Sequence, residues 1–153
     1  MSRLEQPSVL VVDDNAATCT LVTAILRKEF TVEIARDGLE AVEKLKSRTY
    51  ASILLDVRMP HLDGLGVLEF LDQHSPALIP KVLVFTAVGD QALKGIERYP
   101  VCGIIRKPFE IDDLLDEVKK CAAAGGGEGR FADVFSAGPA VLLLLADFLR
   151  TRI

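Results

Sequence analysis

The stretch Val9-Leu10-Val11-Val12-Asp13-Asp14-Asn15 decides the fold. Four aliphatic residues, three of them β-branched, run without polar interruption and stop at two acids. Such a run suits a strand buried on both faces, as in a parallel sheet covered by helices. Asn15 can cap a helix whose apolar positions Leu21, Val22, Ile25 and Leu26 fall at helical spacing.

Outward from this stretch the pattern repeats. Thr31 to Ala35 reads as a second strand, and Asp37-Gly38 opens a helix with Leu39, Val42 and Leu45 on one face. Ile53 to Leu55 reads as a third strand, followed directly by Asp56. Pro60 and Asp63-Gly64 mark a loop before a helix carried by Leu65, Leu68 and Leu71. Val82 to Phe85 forms a fourth strand ending at Thr86, and a helix around Gln91 to Arg98 is weakened by Gly95. Val101 to Ile105 is the fifth strand, closed by Lys107-Pro108, and Ile111, Leu114, Leu115 and Val118 stripe a last helix. Strands alternating with helices imply βαβ units, right-handed crossovers and one parallel sheet.

Ligands of such sheets sit beyond the carboxyl ends of the strands. Asp13, Asp14, Asp56, Thr86 and Lys107 all lie at those ends. Three carboxylates, a hydroxyl and an ammonium in one place suit a divalent cation and a phosphoryl group. Crowded acids need a counter-ion, and Mg²⁺ prefers such hard oxygen donors.

Four segments carry a family resemblance: VLVVDDN (9–15), LLDVRMPHLDG (54–64), VFTA (84–87) and RKPF (106–109). Over residues 7–122 the chain resembles the receiver domain of two-component response regulators, of the single-domain type. The resemblance implies a flavodoxin-like (βα)5 three-layer sandwich with a sheet of order 2-1-3-4-5. It implies that Asp56 accepts a phosphoryl group from a phosphohistidine on a histidine kinase or phosphotransfer protein. Asp14, Asp56 and the backbone carbonyl of Arg58 would ligate Mg²⁺, with Asp13 assisting through water. Lys107, before a cis proline, would meet one phosphoryl oxygen and Thr86 another. The chain would act as a signalling switch and not as an enzyme on a separate substrate.

Ile104 departs from the pattern, because many receivers carry Tyr or Phe at the position paired with Thr86 in switching. The switch is then expected to run through the helix weakened by Gly95. Arg58 and Val88, each two places beyond a site residue, predict slow hydrolysis of the acyl phosphate. Ala87 leaves the phosphoryl group room. His61 and His74 read as surface residues.

The receiver is expected to span residues 1–122, a Gly-rich linker 123–130 and an apolar helical segment 131–153. The last contains AVLLLLADFL (140–149), which needs a partner surface, either on the domain or in a homodimer. A second candidate for self-association is the face of the fourth helix, fifth strand and fifth helix. A net charge of -4 and the absence of a basic cluster argue against direct nucleic-acid binding, so output should pass through protein contacts. With half the residues apolar yet no run long enough to span a bilayer, a cytoplasmic globular protein is expected. Cys19, Cys102 and Cys121 are odd in number and widely spaced, which predicts free thiols in a reducing compartment. An alternative function is a receiver-fold scaffold module that no longer depends on phosphorylation. A haloacid-dehalogenase-type phosphatase is disfavoured, because Asp56-Val57-Arg58 lacks that family's second acid.

Overall fold

The computed structural model describes residues 6–87 and 89–125. In chain order the elements are β1 (Ser8–Val12), α1 (Ala16–Leu26), β2 (Thr31–Ala35), α2 (Gly38–Ser47), β3 (Ser52–Leu55) and α3 (Gly64–His74). A 3-10 helix (Pro76–Lys81), β4 (Val82–Thr86), α4 (Asp90–Leu93), β5 (Gly103–Arg106) and α5 (Ile111–Gly125) follow. All strand pairs are parallel, in the order β2-β1-β3-β4-β5. This is the flavodoxin-like arrangement expected from the sequence.

Strand alternation divides the core into two layers. Leu10, Val12, Ile53, Leu55, Val82 and Val84 face α2 and α3, meeting Ala41, Leu45, Val67, Leu68 and Leu71. Val9, Val11, Leu54, Leu83 and Phe85 face α1 and α5, meeting Val22, Leu26, Leu114 and Val118. The central strands β1, β3 and β4 are therefore apolar at nearly every position.

Several expectations are adjusted. Leu21, Leu39 and Ile111, assigned to buried helix stripes, are exposed, while Cys19, Ala41 and Cys121 take inward positions. A small residue at those positions lets a helix approach the sheet closely, so apolar size alone misplaces the stripe. The 3-10 helix has no counterpart in the sequence reading. Its prolines, Pro76 and Pro80, suppress the periodic pattern by which helices are recognised. The fourth helix is shorter than expected, and Gly95 lies beyond it, where a Cβ would come 3.0 Å from Leu65 Cδ2.

The cysteine expectation is corrected outright: Cys102 and Cys121 form a disulfide, their Cα atoms 5.9 Å apart. Cys102 enters β5, its amide bonded to the Val82 carbonyl at the start of β4. α5 runs back along the sheet and brings Cys121 to the same end. Nineteen residues of separation hide a contact that the βα return creates. Cys19 remains a thiol, buried under the site with Sγ 3.3 Å from the Asp13 carbonyl oxygen.

α5 continues to Gly125, past the boundary expected at residue 122. The remainder of the expected linker, the apolar segment 131–153 and Val88 lie outside the described residues. Among the described residues, no helix is long and apolar enough to cross a membrane.

Candidate functional site

Strand register brings the site together. Val12 of β1 is level with Leu55 of β3, so the next residues, Asp13 and Asp56, emerge side by side. The Asp56 amide donates to the Val12 carbonyl at 3.0 Å and fixes this alignment. On the other flank Thr86 is level with Arg106, and the Lys107 amide donates to the Thr86 carbonyl at 3.0 Å. The five residues singled out at strand ends thus share one edge of the sheet.

Asp13 and Asp14 diverge, as adjacent residues at a strand end must: Asp13 is buried and Asp14 exposed. Asp13 Oδ1 accepts from the Asn15 amide at 2.9 Å, and Oδ2 accepts from Lys107 Nζ at 2.7 Å. Asn15 in turn caps α1 by accepting from the Thr18 amide. The ammonium of Lys107 lies 3.7 Å from Asp56 Oδ2 and 4.6 Å above the Phe85 ring, in reach of a cation–π contact. Lys107-Pro108 is cis, as the resemblance implies.

Asp56 has little solvent, and its Oδ1 accepts from the Val57 amide at 2.8 Å. Burial pushes its carboxyl up to about 6, and the charge of Asp13 pushes the same way, while Lys107 pulls against them. One ammonium does not neutralise this cluster. Carboxylate oxygens of Asp13, Asp14 and Asp56 all lie within 4.8 Å of one another, a compact set of hard donors. That donor set fits a divalent cation such as Mg²⁺.

Thr86 is fully buried at the end of β4. Ile104 pairs with Val84 across β4 and β5 and is 40% exposed. Its neighbour Ile105 packs toward α5, so Ile104 faces the opposite side of the sheet. Arg58 is exposed in the loop leaving Asp56. His74 packs against Phe70 with tilted rings, their centroids 4.6 Å apart, whereas His61 contacts Asp37 at the start of α2. Sequence reasoning missed two supports, the Phe85 ring and the His61–Asp37 pair. Both arise from contacts between distant segments.

The loop between β3 and α3 is packed tightly on α2. The Gly38 amide donates to the Leu62 carbonyl, and a Cβ at Gly38 would stand 2.1 Å from that oxygen. Gly38→Ala is therefore expected to destabilise the protein by about 1–3 kcal/mol, as overpacking against backbone does. Urea denaturation measures this, and an unchanged midpoint would show that the loop yields freely.

Comparison with known proteins agrees with this geometry. The family model of the response regulator receiver domain matches residues 9–119. The transcriptional regulatory protein ZraR of Klebsiella oxytoca is 34% identical over 113 residues, 72% of this chain and 25% of that protein. Its counterpart from Escherichia coli (strain K12) is 31% identical over 118 residues, 75% and 26% of the two chains. The chain thus spans about a quarter of the length of these curated relatives. Among solved structures, the receiver domain of the Francisella response regulator 1452 superposes with TM-score 0.68 at 26% identity, covering 76% of this chain and 97% of that one. A CheY-like receiver domain protein from Methanospirillum hungatei JF-1 shares the fold with TM-score 0.71 at 24% identity, covering 78% and 95%. With 111 consecutive residues matched and the acidic cluster, Thr86 and Lys107 at one sheet edge, the chain belongs to the response regulator receiver domain family of two-component systems.

Proposed function

We propose that this chain is switched by phosphorylation of Asp56, with a histidine kinase or phosphotransfer protein as donor. The observation that carries this reading is the state of Asp56: a nearly buried carboxylate beside two other acids and one ammonium. It is placed to react and under-compensated in charge.

In the proposed transfer, an Asp56 oxygen forms a P–O bond as the P–N bond of the phosphohistidine breaks. The departing imidazole keeps the bonding pair. Asp56 is held for this by the Val57 amide on Oδ1, which leaves Oδ2 on the Lys107 side. Lys107 shifts from Asp13 toward an incoming phosphoryl oxygen, and the Phe85 ring beneath it keeps the ammonium at the site. Asp14, Asp56 and the Arg58 carbonyl would hold Mg²⁺, with Asp13 assisting. When bound, the ion supplies positive charge against the phosphoryl oxygens. Thr86 reports the modification by hydrogen-bonding to another phosphoryl oxygen.

The signal then leaves through protein contacts on the face of α4, β5 and α5, with aliphatic Ile104 where a ring would ordinarily switch. The chain acts as a switch that assists only its own phosphotransfer and autodephosphorylation, in a cytoplasmic setting shared with its donor.

The test is intact-mass analysis after incubation with a small acyl phosphate. One phosphoryl group per chain is expected with Mg²⁺ and none with a chelator. A chain that stays unlabelled at every Mg²⁺ concentration would overturn the proposal.

A further inference from the structure

The loop that leaves Asp56 is fastened at both ends and at its crown. The Gly64 amide donates to the Val57 carbonyl at 2.8 Å, and a Cβ at Gly64 would stand 2.4 Å from the Asp56 carbonyl oxygen. The loop's ends are therefore pressed together under the candidate phosphoacceptor. Its far side rests on the first turn of α2 through the Gly38–Leu62 hydrogen bond.

At the crown, His61 has φ 69°, the only left-handed non-glycine residue among those described. A side chain is held in that region only where its surroundings impose it. Here the imposed contact is visible: His61 Nδ1 lies 2.8 Å from Asp37 Oδ2. A carboxylate only accepts, so Nδ1 carries the proton. Asp37 is itself fixed, because its Oδ1 caps α2 by accepting from the Glu40 amide at 2.8 Å. The Glu40 amide first, and then His61, hold the Asp37 carboxyl below the usual carboxylate range. The loop crown is thus tied to a helix terminus rather than to another loop.

We infer that His61 is a positioning residue for the cation: its hydrogen bond to Asp37 sets the loop so that Arg58, three residues earlier, presents its carbonyl to the site. The inference rests on the proposed Mg²⁺ function. It adds to that reading a residue whose hydrogen bond runs to Asp37, outside the acidic cluster.

The test compares Mg²⁺ affinity, by titration calorimetry on the unphosphorylated chain, across four variants. His61→Gly relieves the backbone but loses the tie, and its affinity is expected to fall about fivefold, the factor one hydrogen bond carries. His61→Asn should match the parent, because asparagine accepts the left-handed conformation and its Nδ2 takes the place of Nδ1. Asp37→Ser keeps a capping oxygen but is too short to reach His61, so it should lose as much as His61→Gly. The double variant should lose no more than either single one. Amide hydrogen exchange across 58–64 in chelator should quicken in His61→Gly and not in His61→Asn.

Equal affinities in the parent and His61→Gly would overturn the inference and leave the proposed function standing. So would a His61→Asn as weak as His61→Gly, or additive losses in the double variant. A parent that binds no Mg²⁺ would overturn both.

Discussion

Replacing Asp56 by asparagine is expected to abolish phosphoryl labelling and at the same time to make the Mg²⁺-free protein more stable. The first effect follows from chemistry: an amide has no carboxylate oxygen with which to form an acyl phosphate. The second follows from the cost of the charge. Burial and the neighbouring Asp13 raise the Asp56 carboxyl from 3.8 to about 6. A raised acid binds its proton more tightly in the folded state, so ionisation works against folding. The cost is absent below the unfolded value, grows as pH rises through the folded one, and is fully present near pH 7. About two units correspond to at most roughly 3 kcal/mol, and residual solvent screening reduces this to about 1–2 kcal/mol.

Asparagine keeps the shape and removes the charge. Urea denaturation in chelator should place Asp56→Asn above the parent near pH 7, with the gap narrowing below pH 6 and closing as pH falls toward 4. Mg²⁺ should raise the parent's midpoint by binding the folded state, and raise that of the variant much less. An asparagine variant less stable than the parent near pH 7 would contradict the account of the cluster. One that still labels would remove Asp56 as acceptor.

The same cluster shows how far a sequence carries such a reading. The strand ends are legible because buried parallel strands are short aliphatic runs, and the residue after each run must lie at the sheet edge. VLVV stops at Asp13, and ILL stops at Asp56. Strand order then puts five residues together without any knowledge of side-chain contacts. Contacts between segments are another matter. Lys107 and Asp13 are 94 positions apart, and nothing in either neighbourhood announces that the ammonium will prefer Asp13 to Asp56. His61 and Asp37 are 24 apart and meet because a loop folds over a helix terminus. Helix stripes fail for a related reason. Leu39 and Ile111 look like core residues by hydrophobicity, yet both are exposed, while Val42, Leu45, Leu114 and Val118 of the same stripes are buried as expected. A weak fourth helix is legible from Gly95, and the helix spans only Asp90–Leu93. The exposure of Ile104, on the proposed output face, is not legible from its hydrophobicity.

Reduction of the Cys102–Cys121 disulfide is expected to lower stability by about 3 kcal/mol, the value for a closed loop of this length in the chain-entropy model. The cross-link limits the unfolded chain more than it changes the native one. Cys121 sits fully buried among Val22, Leu26, Leu114 and Val118, and Cys102 packs against the same layer. A freed thiol there behaves as a small apolar group, so the reduced core should close without a cavity. Reduction of the unaltered protein is therefore a cleaner experiment than serine substitution, which would bury hydroxyls in that layer. Thermal unfolding with and without a dithiol reductant should differ by about 10 °C. Exchange of α5 amides beyond Val118 should quicken, because the link fastens that end of the helix to the start of β5. Labelling of Asp56 should not change, since Lys107 leaves β5 at the opposite end and keeps its own ties to Asp13 and Thr86. Coincident unfolding curves would mean that the pair contributes no constraint in solution. A labelling rate that fell on reduction would mean that the two ends of β5 are coupled.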